Sequence, residues 1–195
     1  MRTTRHLTIS IPIPGNLPPG AVVAGLQTIT PFITHNRTIT SVDEVLAAPE
    51  DTVDDPFFGP FDDSFRTFDC HEVISLAPGL SKTIGWKAIF QSVTDGVRSR
   101  ALAPAGVTVR AEWTVRQQQR APMGPISPAG SDSTASGSTV TQEGDEYELH
   151  EDVFLEANSL LMPFIVDSCL AVHRDMCENL LAGIFKDYFG PTPMK

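Results

Sequence analysis

Hydrophobic and polar residues alternate along most of this chain, and the period of the alternation changes near residue 159. Tyr147, Leu149, Glu151, Val153, Leu155 and Ala157 interleave with Glu148, His150, Asp152 and Glu156, the period-two pattern of a strand with one buried face. From Ser159 onward, Leu161, Ile165, Cys169, Val172, Met176 and Leu180 recur every three or four positions and predict one long helix with an apolar stripe. At about 1.5 Å rise per residue such a helix reaches roughly 40 Å, enough to cross a small domain. Pro163 either occupies its first turn or kinks it.

The rest of the chain is mostly strands. His6 to Pro12 places Leu7, Ile9 and Ile11 on one face, and Pro14-Gly15-Asn16 ends that strand. A helix opens at Asn16 or Leu17 with Pro18 and Pro19 in its first turn, where a missing N–H costs little. Pro31 breaks it, Phe32 to Thr34 adds a short turn, and Arg37 to Val45 is extended again. Four strands follow over Phe65–Leu76, Thr83–Val93, Val97–Ala103 and Val107–Arg116. Asp95-Gly96 is a strong hairpin signal between the second and third, and Pro104-Ala105-Gly106 turns the chain between the third and fourth.

Two segments depart from this pattern. The loop over 47–64 is acidic and holds Pro49, Pro56 and Pro60, yet it also carries Phe57, Phe58 and Phe61. Rings in such a loop either pack on the flank of the domain or close over a pocket as a lid. Residues 117–144 are rich in Gln, Pro, Gly, Ser and Thr and read as a disordered hairpin insert between two adjacent strands.

Composition narrows the possibilities. A chain of 195 residues with 41% hydrophobic content supports a single domain, 1–195, with its own core. The formal charge is −10, and the 14 Lys and Arg are scattered, which argues against nucleic acid and anionic membranes as partners. No run approaches the roughly 20 apolar residues of a membrane span. The N-terminal stretch, broken by Pro12 and Pro14, reads as a strand rather than a signal peptide. The odd set Cys70, Cys169 and Cys177 lacks metal-ligand spacing and suits buried free thiols in a reducing, cytoplasmic compartment. No metal set, phosphate loop, nucleophile elbow or dinucleotide fingerprint appears, so no metal or cofactor is expected. Monomer and homodimer remain equally open.

The order of elements, a strand, a helix pair, about six strands in a meander and a long helix, resembles the START-like or helix-grip superfamily, with its Bet v 1 and polyketide-cyclase relatives. More narrowly, Ala103-Pro104-Ala105-Gly106-Val107-Thr108-Val109-Arg110 with Glu112-Trp113, then Glu151-Asp152-Val153 through Leu160-Leu161-Met162-Pro163-Phe164, resembles a fungal domain family of unassigned function. The resemblance implies an α+β fold, a curved antiparallel sheet of about six to seven strands wrapped around a long C-terminal helix. It implies an apolar cavity between them but no particular reaction. Fungal relatives of this kind also suggest secondary metabolism, by association.

Candidate chemistry then rests on polar groups that share a face with apolar neighbours. Glu72, among Phe68, Cys70 and Ile74, and Glu151, between Leu149 and Val153, point into the concavity if the apolar faces line it. Desolvated there, either would have a raised pKa and could act as general acid or base. The alternatives are a core ion pair with Arg98, Arg100 or Arg110, or a register that leaves them on the surface. In the enzyme reading Arg100 or Arg110 would polarise a substrate carbonyl. Trp86, Phe90, Trp113, Tyr147 and Phe164 are core or pocket-wall aromatics, and His173, one turn from Cys169 and Cys177, either looks into the cavity or flanks it. His71 and His150 fall on the polar faces of their strands. Three functions compete: a cofactor-independent cyclase or isomerase acting on an apolar small molecule, a carrier for an apolar metabolite or lipid, and an interaction module with a filled core.

Overall fold

The computed structural model describes residues 1–77, 80–118 and 146–190. The insert expected over 117–144 lies, from residue 119 on, outside the described residues.

Seven strands form one antiparallel sheet in the order β1-β7-β6-β5-β4-β3-β2. They are β1 (Arg2–Pro12), β2 (Ile39–Val45), β3 (Phe65–Ala77), β4 (Leu80–Val93), β5 (Gly96–Ala103), β6 (Val107–Gln117) and β7 (Tyr147–Asn158). Every strand from β2 to β7 pairs with its neighbour in sequence, and β1 closes the far edge against β7. The predicted hairpin at Asp95-Gly96 forms, and Gly96 is required there. A Cβ at that position would lie 1.8 Å from the Trp113 carbonyl oxygen.

Three helices cover one face: α1 (Pro19–Gln27), the single turn-and-a-half α2 (Thr30–Thr34) and the final helix α3 (Met162–Phe189). The chain leaves β7 through a tight turn in which Asn158 accepts hydrogen bonds from the Leu160 and Leu161 amides. Pro163 sits in the first turn of α3, where its missing N–H leaves no bond unmade. The kink is therefore not needed to explain it.

The sheet and α3 are packed unevenly. The C-terminal half of α3 buries Met176, Cys177, Leu180 and Leu181 in the main core. Gly25 of α1 lets that half approach, because a Cβ there would lie 2.4 Å from the Ile184 methyl. Ile165, Val166, Cys169 and Val172 in the N-terminal half are only half-buried. Ile165, Cys169 and Val172 face the sheet across open space.

The loop expected as a flank or a lid packs on the outer face of the sheet, opposite α3. Phe58 packs with Phe65 and Ile89, and Phe57 with Ala47 extends that small outer core. Gln91 accepts a bond from the Gly59 amide at 2.9 Å. Asp55, itself buried, takes Arg100 at 2.7 Å and Arg110 at 3.1 Å. Arg100 also donates to the Asp51 carbonyl.

Candidate functional site

A cavity of about 620 Å³ lies between the sheet and the N-terminal half of α3. Its size is that of a small-molecule site. Strand alternation supplies its floor: Ile84, Trp86, Ala88 and Phe90 from β4, Ser99 and Ala101 from β5, and Val107, Val109 and Trp113 from β6. The helix stripe supplies its roof through Leu161, Ile165, Cys169, Val172 and Met176, five of the six residues the sequence period assigns to it. Exposed Phe164 and Leu161 and the turn at Pro104-Ala105 form part of its rim. Polar groups are few: Asn36, Glu72, Lys82, Ser99, Ser168 and His173. Among the described residues the buried indole N–H of Trp86 has no hydrogen-bond partner, whereas that of Trp113 has the Cys177 thiol beside it. A buried donor without a partner favours a ligand that brings an acceptor.

The chemical centre of this wall is His173. Glu151 lies on the inward face of β7, level with Ile9 of β1 and Trp113 of β6, and is fully buried. A carboxylate so placed needs partners, and α3 provides two. His173 Nδ1 donates to one oxygen of Glu151, and the Cys177 thiol donates to the other at 3.6 Å. The imidazole lies parallel to the Trp113 indole, with centroids 5.8 Å apart and planes within 4°. Ring orientation is thus fixed twice, by a hydrogen bond and by a stack. Burial pulls the His173 pKa down, but the Glu151 charge and the bonds to Cys169 and Glu151 outweigh it and hold the imidazole well above 6.5. His173 is thus biased toward its protonated form, on the surface of an apolar cavity.

The remaining candidates divide by face. Trp86, Phe90, Trp113, Phe164 and His173 line the cavity, and half-exposed Glu72 also borders it, bonded to Thr38 at 2.8 Å. Glu151 does not line the cavity but bonds His173, which does, so it positions that ring instead of meeting a ligand directly. Tyr147 is packed against the main core beside Ile13 and Pro14 and is no part of the cavity wall. Arg100 and Arg110 correct the expectation most sharply. Their strand positions alternate with Ser99, Ala101 and Val109, which places both guanidinium groups on the outer face, held by Asp55. Neither can polarise a carbonyl in the cavity or pair with Glu151. His150 is also on the outer face as expected, yet it is buried, between Ser10 at 2.9 Å and Asp152 at 3.1 Å.

Sequence reasoning missed two residues. Asp55 gave no local signal beyond an acidic loop. Cys169 was grouped with the buried thiols, although only Cys70 and Cys177 are fully buried and Cys169 borders the cavity. Its place four residues before His173 on one helical face was the available sign. Among the described residues no three His, Cys, Asp or Glu side chains are arranged to hold a metal ion, and no helix is long and apolar enough to cross a membrane.

Comparison with known families places most of the chain. A family described as a domain of unknown function, DUF7053, matches residues 2–185. The chain belongs to that family. No curated protein matches it. Among solved structures it is similar to the Zhui aromatase/cyclase from Streptomyces sp. R1128, with a TM-score of 0.56 and 10% identity over 95% of this chain and 96% of that one. It is also similar to Ara h 8.0201, with a TM-score of 0.50 and 8% identity over 92% of this chain and 99% of that one. At such identities the likeness carries the fold alone. This member of DUF7053 has the START-like helix-grip fold, with a curved antiparallel sheet around a long C-terminal helix.

Proposed function

We propose that this domain is a cofactor-independent small-molecule enzyme of the cyclase or isomerase type, acting on an apolar substrate in the cavity between sheet and α3. The observation that carries this reading is the His173–Glu151 pair at the wall of that cavity. A structural ion pair in a core has no need of an open apolar chamber beside it, whereas a general acid does. His173 would give a proton to a developing enolate or hydroxyl, and Glu151 would hold the ring in position and stabilise its charged form. The unpartnered indole N–H of Trp86 favours a substrate bearing a carbonyl or hydroxyl oxygen on an otherwise apolar skeleton. The cavity walls would hold that skeleton folded, which lowers the entropic part of the barrier. A neighbour of the same fold is described as an aromatase/cyclase, which agrees with this class. A setting in fungal secondary metabolism is part of the same proposal.

The test is to incubate the purified protein with small-molecule extracts of fungal cultures and compare chromatograms, alongside native mass spectra of the protein. A compound that converts to another, even at unchanged mass, with conversion lost in Glu151→Gln, supports the enzyme. A ligand retained and released unaltered would replace it with a carrier for an apolar metabolite or lipid.

A further inference from the structure

The three cysteines occupy different environments. Cys70 is buried on β3, between β2 and β4, and burial with nearby carboxylates pushes its thiol up to about 12. Cys177 is buried, and burial together with Glu151, to which it donates, raises it well above 9.0. Both are inert thiols. Cys169 differs: it lines the cavity, one helical turn before His173 and on the same face of α3. The Glu151 bond engages His173 through Nδ1 and leaves Nε2 for another partner. The imidazole and the thiol one turn away border the same apolar space, and Cys169 is among the groups that raise the His173 pKa. A thiol, an imidazole and a buried carboxylate that orients the imidazole are the three parts of an activated nucleophile.

We propose that Cys169, His173 and Glu151 form a nucleophilic triad whose thiolate adds reversibly to an apolar α,β-unsaturated carbonyl compound bound in the cavity. The proposal rests on the enzyme reading above and names its substrate class. The resting pair is a Cys169 thiolate beside the His173 imidazolium, with the thiol proton released to solvent. The sulfur forms a bond to the β-carbon, and the alkene π pair moves to the carbonyl oxygen as an enolate. The imidazolium then gives its Nε2 proton to the α-carbon and becomes neutral. In sum H and S add across the double bond. The former double bond is now single and can rotate. Return of the α-proton to His173 and expulsion of the thiolate regenerate the alkene, as its other geometric isomer. No oxidant, reductant or co-reactant is needed. The carbonyl oxygen is the acceptor that the unpartnered Trp86 N–H calls for.

The test uses N-ethylmaleimide, itself an apolar α,β-unsaturated carbonyl compound, on the folded full-length chain from pH 5 to pH 9, with each cysteine followed by peptide mass spectrometry. The expected result is that Cys169 alone reacts quickly, and that its rate stays high well below the ordinary thiol pKa of about 8.5. His173→Asn should then slow it roughly tenfold or more at pH 6 and restore an ordinary thiol profile. If the wild-type rate falls about tenfold per pH unit below that value, or Cys169 does not react, the triad is overturned. Should His173→Asn fail to fold, the wild-type profile decides alone. Binding of a neutral solvatochromic naphthalene dye by the wild-type chain is measured in parallel. Dye bound with an ordinary thiol profile removes the triad and keeps the cavity, whereas no dye binding removes the small-molecule reading itself.

Discussion

Asp55 and Glu151 are both buried carboxylates, one on each face of the same sheet, and their partners differ in kind. On the outer face Asp55 is held by Arg100 and Arg110, and the bond to the Phe57 amide adds to them. Burial pushes its pKa up, but these partners win and set it below 3.8. Arginine does not titrate in the range a protein experiences, so this cluster has one charge state and pins a loop. On the inner face Glu151 is held by a histidine and a thiol, both of which can move a proton. The outer carboxylate is built to stay fixed, and the inner one is built beside a group that can change. That contrast separates a structural ion cluster from a candidate catalytic one more clearly than burial does.

The contrast can be broken most forcefully on the outer side. Asp55→Ala leaves Arg100, with 11% of its side chain exposed, without its carboxylate. Loss of one partner from a buried pair costs about 3–5 kcal/mol, so urea denaturation should show that loss, and the 47–64 loop should become sensitive to limited proteolysis. Binding of an apolar dye in the cavity should survive wherever the protein remains folded. A variant that keeps its stability would mean that the outer cluster carries little of the loop's anchorage.

Glu151→Gln keeps shape and removes charge, so its stability cost should be smaller, about 1–3 kcal/mol by denaturation. Its larger consequence should be chemical: the rate of substrate conversion should fall while dye affinity stays within a factor of about two. Equal loss of both would reduce Glu151 to a structural role.

The two sites should also pull stability in opposite directions with pH. Asp55 has a lowered pKa, so its contribution is complete above 3.8 and is lost as pH falls through the lower folded value. His173 has a raised pKa, so its contribution is complete below 6.5 and is lost as pH rises through the higher folded value. Each limb is limited to about 1.4 kcal/mol per pH unit for a single proton. Thermal unfolding across pH 3 to pH 10 should show the acid limb weakened in Asp55→Asn and the alkaline limb weakened in His173→Gln. An alkaline limb unchanged in the latter would assign it to another group.

The smallest effect on stability belongs to the rim. Phe164 is 78% exposed yet borders the cavity, so Phe164→Ala should change stability by no more than about 0.5 kcal/mol. Dye or substrate affinity should still fall, because the ring covers part of the mouth. Unchanged affinity would move the entrance elsewhere along α3.

Much of this architecture was legible in the chain. Alternation alone puts Val107, Val109 and Trp113 on one face of β6 and Glu151 on the apolar face of β7, and the helical stripe from Leu161 to Met176 roofs the cavity. The misplaced arginines were partly legible as well. Arg110 alternates with Val109 and Ala111, so the same period that turned Trp113 inward had already turned Arg110 outward. Their true partner was not legible, since Asp55 lies 45 residues from Arg100 and 55 from Arg110 in a loop without periodicity.

Local patterning by itself determined which residues lie on which face of each element, because a strand repeats every two residues and a helix every 3.6. It therefore set the run of strands, the long closing helix and the place of Glu151 on the apolar face of its strand. Only the tertiary structure decided which faces meet. The level at which α3 crosses β7 brings His173 and Cys177 onto Glu151 across 22 and 26 residues, and the spacing between helix and floor leaves a cavity instead of a filled core. Both depend on distances between elements, which no short-range period encodes.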